Sequence, residues 1–156
     1  MALPIAAQRL PRWVVTPSAG GVFGSDLDEP SATVGVGVGL AAARRLTVES
    51  EISRVAELAG LALPLGSAWL FSGRFLYLAA PADARMVPYG SIGGSFVRLT
   101  RAGEGNTEVE IAGTVGGGSF VRLAARLWLR GDLRFIHVND APNLWRGSLG
   151  LTVGFD

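Results

Sequence analysis

Residues 127–156 read LWLRGDLRFIHV (127–138), NDAPN (139–143) and LWRGSLGLTVGFD (144–156). In the first segment Leu127, Leu129, Leu133 and Phe135 recur on one side of a period of two, and Arg130, Asp132 and Arg134 recur on the other. In the third, Trp145, Leu149, Leu151, Val153 and Phe155 alternate with Arg146, Ser148, Gly150, Thr152 and Gly154. Side chains along a strand point to opposite faces in turn, so both segments read as strands with one apolar and one polar face. NDAPN joins them as a hairpin. The charges in mid-strand decide the fold, because this pattern admits two opposite arrangements in space.

The same rhythm runs back through the chain. In 12–23, Trp13, Val15, Ala19, Gly21 and Phe23 oppose Thr16, Ser18 and Gly20, although Pro17 lacks the N–H that a central ladder uses. In 32–41, ATVGVGVGLA, valines alternate with glycines. Its G-x-G continues the period of two, so it is a strand and not a dinucleotide-binding turn. Further strands are predicted over 46–55, 68–78, 87–101 and 107–124, and Gly116–Gly118 predicts a bulge or sharp bend in the last of these. Short links near Arg44, Asp83 and Arg126 alternate with longer ones at 24–31, 56–67, 102–106 and 139–143. The short links all fall at one end, and the longer ones mostly at the other. The apolar link 56–67 is open to three readings: extension of the flanking strands, a short helix or contact with a partner. Residues 1–11 are a tail and 12–156 form one domain.

Composition narrows the class. Hydrophobic residues make up 49% and charged residues 17% of the chain, below the roughly 25% charge of ordinary domains. Mean hydropathy is +0.36. All 14 basic residues are Arg, and a net charge of +1 gives no electrostatic case for nucleic acid. With no Cys and a single His, no disulfide and no Cys- or His-rich metal site is available, and neither metal nor cofactor is expected. The longest stretch without a titratable group, Leu58–Gly73, is shorter than the roughly 20 residues of a spanning helix and contains Pro64. The opening MALPIAAQRLPRW shows no basic region followed by an apolar one, so no export leader is read there.

A soluble barrel turns its apolar face inward; a membrane barrel turns it to lipid. Three features favour lipid. The polar face is Gly-rich and has no Lys, unlike a solvated exterior. Its charges complement one another, with Glu49, Glu51, Glu108, Glu110 and Asp132 against Arg74, Arg130, Arg134 and Arg146. That set suits an interior ion-pair network, in which an unpaired charge costs several kcal/mol. The aromatics sort by height: Trp13, Tyr77, Tyr89 and Phe155 near the short-turn end, and Phe23, Trp69 and Trp145 near the other. Two such girdles mark the two faces of a bilayer. The fold predicted is an all-β, eight-stranded, antiparallel up-and-down transmembrane barrel, favoured over a soluble lipocalin-like binding barrel and an open sandwich.

On PYGSIGG (88–94), GGGSFVRLAARLWLRGDLRF (116–135) and LWRGSLGLTVGF (144–155), the chain resembles the small eight-stranded outer-membrane β-barrels of Gram-negative bacteria. The resemblance implies an integral outer-membrane protein among lipids and lipopolysaccharide. It also implies delivery by the barrel-assembly machinery through a C-terminal strand ending in an aromatic; here Phe155 is followed by Asp156. A monomer is expected.

Chemistry has few carriers. His137 opens HVNDA (137–141), which is similar to the H-x-S-N-A stretch of the lipid A deacylases, where His and Ser are base and nucleophile. Asn139 stands in the Ser position, and an amide is not activated as a hydroxyl is. His137 is therefore expected to end a strand with a local hydrogen bond. Arg130-Gly131-Asp132 is an adhesion tripeptide only on an exposed loop, and here it lies in mid-strand. Asp26, Asp28 and Glu29 read as a solvated tip or a cation contact. The function expected is structural or surface-interacting, without enzymatic activity, ahead of a deacylase-like hydrolase or a narrow channel.

Overall fold

Alternation that never breaks into a helical period leaves the backbone one way to pair, strand against neighbouring strand. The computed structural model describes residues 11–24, 27, 29–56, 65–82, 84–101, 107–139 and 143–156. It has eight strands: β1 Trp13–Phe23, β2 Ser31–Ala43, β3 Leu46–Val55, β4 Leu65–Leu78, β5 Met86–Arg101, β6 Thr107–Ala124, β7 Leu127–Val138 and β8 Leu144–Phe155. Each pairs antiparallel with its sequence neighbours, and β1 pairs with β8, so the sheet closes as a barrel. Closure removes the exposed edges that an open sheet would present.

Arg44–Arg45 and Ala125–Arg126 turn the chain tightly at one end, and the links after β1, β3, β5 and β7 gather at the other. β4 starts at Leu65 rather than Ala68, so the end of the apolar link continues the strand. Residues 57–64 lie outside the described residues. Gly116–Gly118 form no bulge. Their register to β5 and β7 is unbroken, and the shift in β6 falls between Arg122 and Ala124, beside the tight turn. The glycines answer close approach instead: a Cβ on Gly118 would lie 2.0 Å from the Gly131 carbonyl oxygen and 2.6 Å from the Tyr89 hydroxyl. Pro17 sits where the β1–β8 ladder skips Thr16 and Pro17. There the Thr16 and Thr152 hydroxyls bond each other at 2.8 Å, so side chains bridge the seam that the proline leaves.

The apolar face is outside. Val34, Ile92 and Leu149 are 59%, 65% and 65% exposed, while Glu49 and Arg146 are 1% exposed. The interior has three layers. Val22, Val55, Leu70, Val97, Ile136 and Val138 pack together toward the long-link end. Leu76, Leu78, Val87, Tyr89, Phe120 and Trp128 pack toward the tight-turn end. The charged residues lie between.

Replacing Gly118 by Ala is expected to lower unfolding stability by about 1–3 kcal/mol through overpacking. Gly113→Ala, where a Cβ meets nothing within 4 Å, should stay within about 0.5 kcal/mol. Urea unfolding in lipid vesicles measures both.

Candidate functional site

The middle layer is built from β3, β4, β7 and β8. Arg130, Asp132 and Arg134 occupy alternate positions of β7 and so point inward together, as do Glu49 and Glu51 on β3. Arg74 is the direct cross-strand partner of Glu49. It donates from Nε to Glu49 Oε1 at 2.8 Å, from Nη1 to Asp132 Oδ2 at 2.7 Å and from Nη2 to Glu51 Oε2 at 3.3 Å. Arg130 donates to Glu49 Oε2 at 2.5 Å and to Asp132 Oδ2 at 3.1 Å. Arg134 donates from Nε to Asp132 Oδ1 at 3.0 Å and from Nη2 to Glu51. Arg146 donates from Nη1 to Glu51 Oε1 and to Ser53 Oγ.

Arg134 and Arg146 are themselves cross-strand partners. Like charges in that position repel, and Glu51, reaching across the lumen, binds both. Four guanidiniums thus face three carboxylates. Part of the cationic excess meets aromatic faces: the Arg130 guanidinium lies 5.0 Å from the ring centroids of both Tyr89 and Phe120. The Tyr89 hydroxyl accepts from Arg130 Nε at 2.9 Å and donates to Asp132 Oδ2 at 2.8 Å. Arg146 keeps Nε and Nη2 without a hydrogen-bond partner among the described residues.

Room for these side chains comes from the strands opposite. Glu49 faces Gly39, Glu51 faces Gly37, Arg74 faces Gly93, Arg130 faces Gly150, Asp132 faces Gly118 and Arg134 faces Gly116. A Cβ on Gly93 would stand 2.6 Å from Arg74 Cβ, and one on Gly116 would stand 2.9 Å from Arg134 Cα. What space remains among Thr16, Ser18, Glu49 and Arg130 is a cavity of about 10 Å³, at most the room of one water. Among the described residues, the charged side chains fill the lumen at this level and leave little free volume between them.

The expected network is thus brought together in part. Glu49, Glu51, Arg74, Arg130, Asp132, Arg134 and Arg146 meet, but Glu108 and Glu110 do not join them. β6 carries both near the long-link mouth, with Glu108 exposed and Glu110 half-buried, above the apolar layer. Tyr89 is not a girdle residue: it is 4% exposed and belongs to the network. Its β5 parity, shared with Ser91 and Ser95, turns it inward. Trp128 is likewise inside, at 1% exposure, with the Arg122 guanidinium 5.8 Å from its ring centroid.

Trp13, Tyr77 and Phe155 face outward at the tight-turn end, and Phe23, Trp69 and Trp145 do so at the other. Trp13 pairs with Phe155, and Phe23 with Trp145. His137 also points outward, with Nδ1 2.6 Å from Asn143 Oδ1. Arg130 and Asp132 are buried, which removes them from any adhesive surface. Asp26 and Asp28 lie outside the described residues; Glu29 is exposed. Among the described residues no group of acidic and His side chains could hold a metal.

A closed antiparallel barrel with an apolar exterior and an ion-paired lumen is a transmembrane β-barrel. No protein-family model and no curated sequence matches the chain. Solved structures do. Neisserial surface protein A matches with a TM-score of 0.77 at 14% identity, over 95% of this chain and 100% of that one. The N-terminal β-barrel domain of Pseudomonas aeruginosa OprF matches at 0.66 and 15% identity, over 93% and 98%. The attachment invasion locus protein Ail of Yersinia pestis matches at 0.60 and 11% identity, over 95% and 99%. The outer membrane enzyme PagL matches at 0.53 and 13% identity, over 91% and 99%. The chain has the fold of the small eight-stranded outer-membrane barrels.

Glu51→Gln removes the charge that holds Arg134 and Arg146 together. It should lower unfolding stability by about 3–5 kcal/mol, the cost of breaking a buried pair. Glu108→Gln, at the mouth, should change stability by less than about 1 kcal/mol. Paired denaturant titrations in the same lipid compare the two.

Proposed function

We propose that this chain is a monomeric integral protein of the bacterial outer membrane, a sealed anchor without enzymatic activity that presents its long-link end for contact at the surface. The observation that carries the reading is the pairing of a lipid-compatible exterior with a lumen blocked at three levels, by two apolar layers and the charged layer between. A barrel of eight strands has an interior that side chains just fill. The polarity of its ends supports the orientation, with longer links gathered away from the tight turns, as in outer-membrane barrels. The similar fold of Ail, an attachment invasion locus protein, supports a surface role.

Assembly through β8 fits its aromatic end, Phe155, which faces outward and pairs with Trp13 where the barrel closes. The similar fold of PagL, an outer membrane enzyme, makes a hydrolase the alternative to test. His137 is exposed toward the outside of the barrel, its ring bonded to Asn143, and Asn139 stands where the deacylase motif has its nucleophile.

Two assays on the refolded protein test the reading. Planar-bilayer recordings should show no unitary conductance steps. Deacylation of an acylated glycolipid should stay at the rate without protein, in the wild type and in His137→Ala alike. Reproducible steps would make it a channel; hydrolysis abolished by His137→Ala would make it an enzyme.

A further inference from the structure

Each odd-numbered strand is entered through an arginine: Arg12 precedes Trp13, Arg45 precedes Leu46, Arg85 precedes Met86 and Arg126 precedes Leu127. The ladder runs on through all four. Their carbonyls accept from the next strand, from Ala41 N at 3.0 Å, Leu78 N at 2.8 Å, Arg122 N at 2.8 Å and Gly154 N at 3.0 Å respectively. Their backbones are thereby held at every second strand around the tight-turn mouth. Two residues further on, Val14, Thr47, Val87 and Trp128 are all buried inside the barrel. Residues i and i+2 of a strand share a face, so the arginines stand on the lumen side of the rim. Trp13 and Met86, next to two of them, are exposed on the lipid side.

The guanidiniums stay outside the lumen because the mouth below them is filled. Pro11 is buried, and a Cβ on Gly154 would lie 2.2 Å from Pro11 Cγ and 3.1 Å from the Trp128 ring. Ala82 is buried as well, and its carbonyl accepts from Arg122 Nη2 at 2.8 Å. Arg12, Arg45, Arg85 and Arg126 are all exposed. Of these four, only Arg126 has an ion-pair partner among the described residues, the exposed Asp156 at 2.9 Å. Charge also divides by end along the chain. The tight turns carry Arg44, Arg45, Arg85 and Arg126 against Asp83, while the links 24–31, 56–67, 102–106 and 139–143 carry acidic residues and no Arg.

We infer that this crown of arginines is a docking face for an acidic peptide segment of a partner in the aqueous phase at the tight-turn end. Its position fits an occupant that approaches along the barrel axis, because the arginines take the lumen side of the rim and leave the lipid side to apolar residues. Its chemistry fits carboxylates. A guanidinium can hold a carboxylate through two parallel hydrogen bonds, and a carboxylate, Asp156, already stands on one member of the crown. The inference rests on the membrane reading above and adds to it a partner on the side opposite the long links.

The test uses the full chain refolded into phosphatidylcholine nanodiscs, with the anisotropy of a labelled decaglutamate peptide as readout. Decaglutamine and an inorganic polyphosphate are the comparison probes. The wild type should bind decaglutamate and not decaglutamine, and raising salt from about 0.05 to about 0.5 M should weaken binding about tenfold or more. R12Q/R45Q/R85Q should weaken it about tenfold or more at low salt, and R12K/R45K/R85K should keep most of it. R54Q/R98Q/R101Q, the same change of charge at the long-link end, should match the wild type. The single variants R12Q, R45Q and R85Q, each expected to lose about twofold to threefold, carry the same test if the triple variant does not insert. Equal loss in the two glutamine triples, or polyphosphate bound as tightly as decaglutamate, overturns the site. Phosphatidylglycerol retained by the wild type in native mass spectrometry and lost from R12Q/R45Q/R85Q would make lipid the occupant and overturn it too. Insertion and heat-dependent gel mobility are scored on the same samples. A wild type that does not insert overturns the membrane reading itself; one that inserts but does not bind decaglutamate overturns only the docking face.

Discussion

Seven charged side chains share a lumen from which water is nearly excluded, and each must find its counter-charge there. An isolated ion in such a place costs far more than the few kcal/mol by which a domain is stable. Glu51 illustrates the constraint: it ties Arg74 on β4, Arg134 on β7 and Arg146 on β8 to β3, across the barrel. A sheet that failed to close would leave these partners far apart. The hydrophobic effect gives this protein little reason to close, because its apolar face is turned away from the centre. The ion pairs supply a reason, together with backbone pairing that has no alternative in hydrocarbon.

The glycines belong to the same argument. A long charged side chain needs volume in a narrow lumen, and the strand opposite yields it by having no Cβ. Six of the seven network residues face a glycine across the ladder. Arg146 is the exception, standing between Arg134 and Val22, and it is the member left with guanidinium nitrogens unpartnered among the described residues. The alternation of Val with Gly along β2 thus serves two media at once. Val34, Val36 and Val38 meet the surroundings, while Gly37 and Gly39 leave space for Glu49 and Glu51.

The architecture was legible because period two reports directly on faces, and the asymmetry of link lengths reports on ends. The hairpin of β7 and β8 stood within its expected bounds. The core of the network was readable too, since Arg130, Asp132, Arg134, Glu49 and Glu51 carry their parity openly. Depth was harder to read. Glu108 and Glu110 have the inward parity, yet they sit beyond the apolar layer of Val97, Ala112 and Ile136, at the mouth. Tyr89 has an aromatic ring at girdle height, but β5 has small residues on both faces and no strong alternation to reveal which way the ring turns. The inward Trp128 was hidden for a related reason: the ends of the lumen are apolar, so near the turns hydrophobicity no longer separates inside from outside.

The central claim is that lipid touches the alternating apolar row and the ionic groups are enclosed. Methyl-labelled protein in lipid nanodiscs tests it most directly, through nuclear Overhauser contacts between protein methyls and acyl-chain protons. Contacts are predicted from Val36, Val115 and Leu149, which face outward, and none from Val55, Leu76 or Val97, which face the lumen. Acyl-chain contacts from the second set and not the first would contradict the account.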